Sequence, residues 1–86
     1  VLVDVVRSAV MYGRAVVALA DRDAERYLSR AERARLIPLR DQAVAVLDAA
    51  ESVRDKHGAR RAAGLISAAA VDYGSAVVHA LRRSGR

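Results

Sequence analysis

Val10-Met11-Tyr12-Gly13-Arg14-Ala15-Val16-Val17 and Val71-Asp72-Tyr73-Gly74-Ser75-Ala76-Val77-Val78 share the pattern V-x-Y-G-x-A-V-V, and no other stretch repeats so closely. Each copy lies in a run of apolar residues spaced by three and four, the signature of a helix with a buried side. A glycine inside a helix costs roughly 1 kcal/mol relative to alanine. Two glycines at matched positions predict that another backbone approaches closely there, with two similar helices meeting around a Tyr-Gly step. The fold expected from this pair is all-α.

Working outward from the first copy, Val3, Val6, Val10, Gly13, Val17, Ala20, Ala24, Tyr27, Ala31 and Ala34 alternate spacings of three and four without a slip. Such a heptad seam is the mark of a helix lying against a partner helix. A second stripe, Leu2, Val5, Ala9, Tyr12, Val16 and Leu19, runs beside the seam and stops at Asp23. No proline interrupts residues 2–35, so the first helix is expected to be continuous over about that range. At 1.5 Å per residue it would be about 50 Å long. A break at Asp21 is the alternative.

Pro38 disfavours helix at Ile37 and suits a first helical turn. It is read as the start of a second helix over about 38–57, with a seam of Leu39, Ala43, Val46, Leu47, Ala50 and Val53. Gly58 is read as its left-handed stop, after His57 in the last turn. The third helix is expected over about 60–83, burying Ala62, Leu65, Ile66, Ala69, Tyr73, Ala76, Val77, Ala80 and Leu81. Short connections favour antiparallel neighbours. The architecture predicted is therefore an antiparallel three-helix bundle with a long first helix, forming a single domain over residues 1–86.

Composition bears on how such a bundle is held together. The chain has no Phe, Trp or Cys, and its apolar half is mainly Ala and Val. A domain this small buries only about 60–65% of its unfolded surface, and small core side chains add little per residue at about 0.8 kcal/mol per buried CH2. Disulfides and thiolate metal sites are excluded. Oligomerisation is the remaining device, so the expected partner is a second copy or another helical protein. Its expected interface is the seam from Val3 to Ala34, together with Tyr73 and Gly74. The function that follows is a non-enzymatic protein-protein interaction or assembly module.

The net charge is +5, which admits nucleic acid as a partner. Four cations, Arg54, Lys56, Arg60 and Arg61, gather where the second helix turns into the third, and they define the alternative reading, a small DNA- or RNA-binding regulator. Gly64 stands where a helix-turn-helix would turn. The segment after it, Ala68-Ala69-Ala70-Val71, has almost nothing that reads base edges.

Asp72, Ser75 and His79 share one helical face and define a third reading, a helical enzyme. Ser75 lies between the other two, which is the wrong order for an acid holding an imidazole against a serine. A mid-helix serine also lacks free N–H groups for an oxyanion. No catalytic residue is assigned. His57 and His79 are the only imidazoles, and neither belongs to a ligand pair at helical spacing, so no metal or cofactor is expected. Residues 1–20 contain Asp4, Arg7 and Arg14, which argues against a membrane span or signal peptide there. The expected setting is cytoplasmic, without membrane contact.

Overall fold

The computed structural model describes residues 2–84, with side chains from Asp4 onward. Three helices account for nearly all of them: α1 (Leu2–Tyr27), α2 (Arg30–Ala50) and α3 (Lys56–Arg83). They pack together as a bundle measuring 44 × 18 × 15 Å between Cα atoms. The all-α expectation holds, but the helix boundaries differ from those read in the sequence, and each difference has a local cause.

The first helix does not run to Arg35. It ends at Tyr27, and Ser29 turns to an extended backbone (φ −69°, ψ 163°) to cap α2. The Ser29 hydroxyl accepts from the Glu32 N–H at 3.2 Å, and the Glu32 carboxylate accepts from the Ser29 N–H at 3.0 Å. This reciprocal box satisfies two donors that the start of a helix otherwise leaves unpaired. Arg33 then donates back to the Glu25 carbonyl, tying the new helix to the end of the old one. Leu28, between them, is buried. The chain therefore turns at Leu28-Ser29, and α1 passes through Asp21 unbroken. At 26 residues, α1 is shorter than the 28-residue α3.

Pro38 lies inside α2 and does not begin it. A proline there removes one ladder bond, the one to the carbonyl four residues earlier. That residue is Ala34, and both Ala34 and Pro38 are exposed, so the freed carbonyl lies on the exposed side of α2. Leu36, two residues before the proline, is buried in the core.

At the other end α2 stops at Ala50, short of residue 57, because Asp55 caps α3 by accepting from the Gly58 N–H. Gly58 is thus in the first turn of α3, not a left-handed stop. A Cβ on it would lie 2.6 Å from the Asp55 carboxylate and 3.0 Å from a Val53 methyl, so a larger residue there would push on the capping carboxylate.

The core is formed by Val6, Val17, Ala20 and Ala24 of α1, Leu36, Ala43, Leu47 and Ala50 of α2, and Ile66, Tyr73, Val77 and Ala80 of α3, among others. Leu47, Ile66 and Val77 are its largest fully enclosed side chains. Gly13 sits where all three helices meet. A Cβ there would come within 2.6 Å of Leu47 Cδ2 and 2.7 Å of Ile66 Cγ2. The close approach inferred from the Tyr-Gly step is therefore real at Gly13, but two side chains make it, not a backbone. At Gly74 the equivalent Cβ would make only ordinary contact with Val16, at 3.5 Å.

The two copies of the repeat present different sides to the core. Gly13 and Val17 face inward in the first while Tyr12 is exposed. Tyr73 and Val77 face inward in the second while Val78 is exposed. The sequence repeat is not a structural repeat.

Candidate assembly face

The seam from Val3 to Ala34 is used mostly inside the chain. Val6, Gly13, Val17, Ala20 and Ala24 are buried under α2 and α3, and Val10 is half-buried. Tyr27 is exposed, Ala31 and Ala34 are exposed beyond the break at Ser29, and the Val3 side chain lies outside the described residues. The members of this seam thus do not form one continuous free surface. Tyr73 is also internal, at 2% exposure, and Gly74 is half-buried against Val16. The heptad pattern was a reading of the intramolecular core.

The second, shorter stripe has the opposite fate. Val5, Tyr12 and Leu19 recur every seven residues on the side of α1 next to α3, and they remain 47%, 55% and 59% exposed. Across the groove α3 contributes Val71 and Val78, at 49% and 45%. Val16, Ala20, Gly74 and Val77 line the depression between them, a groove of about 510 Å³ bordered by Asp23, His79 and Arg82. Together they make one apolar band along two helices. Sequence reading saw the α1 stripe but did not connect it with Val71 and Val78. The signal available was its shortness: it ends at Asp23, where the groove acquires charge.

The band is also poor in charge. Between Arg7 and Asp21 the only charged residue of α1 is Arg14, and its guanidinium is turned toward α2, 3.0 Å from Asp48 and 2.6 Å from Glu51. The hydrogen bonds that Arg14 donates to Glu51 and Asp48 raise its pKa further above its ordinary value. An 18-residue window of α3 has a mean hydropathy of 1.3 with 33% of it buried. By length and composition alone, that helix is apolar enough to cross a membrane. The test applied to residues 1–20 did not reach it.

A polar node ties the three helices together on another side. Asp21 of α1 accepts from Arg40 Nε of α2 at 2.8 Å and from the Tyr73 hydroxyl of α3. Burial pushes the Asp21 carboxyl up, but the hydrogen bonds from Arg40 and Tyr73 outweigh it, and the carboxyl sits below its usual 3.8. Burial, followed by the bond to Asp21, pushes the Tyr73 hydroxyl well above its ordinary 10.0. At neutral pH the carboxylate stays ionised and the phenol stays protonated, so neither group is poised to exchange a proton. The node is a structural clasp. Sequence reasoning missed it because its members lie on three separate helices.

Arg54, Lys56, Arg60 and Arg61 are exposed around the α2–α3 turn. Arg54 donates to the Glu51 and Val53 carbonyls, so its guanidinium is partly engaged in closing the end of α2. Asp72, Ser75 and His79 are exposed along α3, and no hydrogen bond joins them. Among the described residues, no cluster of three or more His, Asp or Glu side chains could hold a metal ion. No family model, curated protein or solved structure matches this chain.

Proposed function

We propose that the chain is a non-enzymatic helical assembly module that pairs with a second copy of itself. Its helices are taken to run antiparallel in sequence order, a reading supported by the ion pairs between α1 and α2. Arg14 meets Asp48 while Asp21 meets Arg40, so α2 descends as α1 ascends. The observation that carries the reading is the apolar band of Val5, Tyr12, Leu19, Val71 and Val78. Leaving it in water forgoes roughly 25 cal/mol for each Å² that a partner would cover. The internal core, largely Ala and Val, has little stability to spare for a surface of this kind.

Native mass, measured by sedimentation across a concentration series, tests the proposal. A dimer or higher oligomer supports it. A monomer at tens of micromolar overturns it.

A nucleic-acid role is the second reading, and one arrangement favours it. Lys56, Arg60 and Arg61 are exposed together, while the nearby carboxylates are engaged, Glu51 with Arg14 and Asp55 as the α3 cap. It requires duplex or single-strand binding that falls steeply with salt. The absorbance ratio of the purified protein distinguishes the two readings, because three Tyr and no Trp leave little intrinsic signal to mask bound nucleic acid.

A further inference from the structure

We propose that the end of the bundle formed by the α1–α2 turn and the last turn of α3 binds single-stranded nucleic acid, with arginines on the phosphates and Tyr27 stacked on a base. The inference rests on the nucleic-acid reading above and moves the contact to the opposite end from Lys56, Arg60 and Arg61.

The positive charge of the chain is concentrated there. Residues 21–40 with Arg82 and Arg83 hold eight arginines and four carboxylates, a surplus of four in a chain whose net charge is +5. All other residues together carry a surplus of one. The residues of this end also meet in space. Arg33 of α2 donates to the Glu25 carbonyl of α1, and Asp23 and Arg82 line one groove. The bond from the Ser29 N–H holds the Glu32 carboxyl below its ordinary range, and the charges of Arg83 and Arg35 lower it further.

Most of that charge is free to act on a partner. Asp21 is engaged by Arg40 and Tyr73, and Glu32 by the Ser29 cap. Arg22, Arg26, Arg30, Arg35, Arg82 and Arg83 are exposed, and among the described residues none of them makes a hydrogen bond or ion pair. Only Glu25, exposed, and Asp23, half-buried, remain to oppose them.

Helix dipoles explain part of the pattern. Arg26, Arg82 and Arg83 stand in the last turns of α1 and α3, where a cation is favoured. Arg30 opens α2, where the dipole favours an anion instead. A polyanion outside the chain accounts for both sets.

The side-chain chemistry selects the kind of polyanion. Arginine presents a planar fork that matches phosphate. The Arg26 guanidinium lies 5.7 Å from the centroid of the Tyr27 ring, and Tyr27, the last residue of α1, is 43% exposed. A cation beside an open ring can hold a phosphate while the ring stacks on an unpaired base. A lipid headgroup shares the charge but supplies no base to stack.

The test is fluorescence anisotropy of a labelled oligothymidylate of about 20 nucleotides, longer than the roughly 4–16 that one OB-fold covers, titrated at low and moderate salt. The triple variant Arg26→Gln, Arg30→Gln, Arg83→Gln is expected to weaken binding roughly tenfold or more and to flatten its salt dependence. The triple variant Lys56→Gln, Arg60→Gln, Arg61→Gln removes the same charge and is expected to change binding less than about threefold. Tyr27→Leu is expected to weaken binding about tenfold with its salt dependence kept, and Tyr12→Leu to leave it unchanged. All eight side chains are exposed, so helical circular dichroism should be retained throughout.

No binding of the oligothymidylate or of duplex DNA at low salt overturns this inference and the nucleic-acid reading together. Binding lost only in the Lys56, Arg60, Arg61 variant overturns the inference and leaves that reading standing. Equal losses in the two triple variants show a diffuse charge effect and overturn it as well. Duplex bound as tightly as the single strand, with Tyr27→Leu silent, overturns the stacking contact and the single-strand assignment. Phosphatidylcholine–phosphatidylglycerol vesicles bound in place of nucleic acid, through the same three arginines, assign this end to a lipid surface and overturn the proposal. Native mass, which tests the assembly reading, is independent of all of these.

Discussion

The Tyr73 hydroxyl donates to the Asp21 carboxylate, joining residues 52 positions apart in the chain. With Arg40 on the same carboxylate oxygen, this one acceptor connects all three helices. Tyr73 is enclosed, whereas the Asp21 and Arg40 side chains keep 26% and 44% of their exposure. Water can therefore partly replace the ion pair but not the phenol contact. Tyr73→Phe is expected to lower stability by about 1 kcal/mol, the net value of a typical hydrogen bond. Asp21→Ala is expected to cost about 1–2 kcal/mol, since it leaves the enclosed hydroxyl without its acceptor. Urea unfolding of both single variants and the double variant measures the coupling. If the effects simply add, Asp21 and Tyr73 do not act together.

The same pair gives a pH dependence of known sign. Asp21 has a folded pKa below its ordinary 3.8, so the unfolded chain takes up the proton first. Its contribution is complete above 3.8 and is lost as pH falls through the lower folded value. Tyr73 is the reverse, with a folded pKa above its ordinary 10.0. Its contribution is complete below 10.0 and is lost as pH rises through the higher folded value. The stability difference between wild type and Tyr73→Phe should stay flat from roughly pH 5 to 9 and shrink at both ends. A difference that instead changes through neutrality would point to another titrating group.

Gly13 is the tightest point of the bundle. Its missing Cβ would fall 2.7 Å from Ile66 Cγ2, a branch too close to its own backbone to swing aside, and 2.6 Å from the more mobile end of Leu47. Overpacking of this kind costs typically 1–3 kcal/mol. Gly13→Ala gains about 1 kcal/mol in helix propensity, so it should come out near neutral or mildly destabilising. Gly13→Leu has no such compensation and should lower the melting temperature of the isolated chain, whatever its oligomeric state. If Gly13→Leu melts like wild type, the three helices do not converge there.

Much of this arrangement was legible in the sequence. The apolar positions of α1 and α2 that alternate by three and four do enter the core, as Val6, Val17, Ala24, Ala43 and Leu47 show. Periodicity, however, reports only that a residue is covered, not by what, and the seam assigned to a partner chain is covered by α2 and α3. The break between the first two helices was also written in the chain, as Ser29-Arg30-Ala31-Glu32. It was hidden because Tyr27, Ala31 and Ala34 happen to keep the heptad phase across it. In α3, Leu65 was expected inside but is 47% exposed, while Ala59 and Ala70 are enclosed. Alanine-rich helices have several faces of similar hydrophobicity, and only the packing of neighbours selects one. The Asp21–Tyr73 clasp was not legible, because no local pattern relates residues so far apart.

Ser29 distinguishes the observed break from a continuous first helix. As the cap of α2, Ser29→Ala loses its side-chain acceptor and is expected to destabilise by about 1 kcal/mol. In an unbroken helix over 2–35, the same change would put a better helix former at an interior position and would stabilise. The two arrangements therefore predict opposite signs, read directly from the shift in urea midpoint.

Pro38 supplies the matching test inside α2. Its ring occupies a helix interior, where proline is about 3 kcal/mol less favourable than alanine, and its position is exposed, so no packing opposes a replacement. Pro38→Ala restores the N–H that can donate to the Ala34 carbonyl and should stabilise the chain, by less than the full propensity difference because a carbonyl on an exposed face is open to solvent. Had the helix begun at Pro38, the proline would stand in a first turn, where its fixed φ is favourable and its missing N–H costs nothing. Alanine there would be neutral or slightly destabilising. A rise in melting temperature for Pro38→Ala, together with a fall for Ser29→Ala, places the start of α2 at Ser29. The reverse pair of signs would return it to Pro38 and lengthen α1 to match.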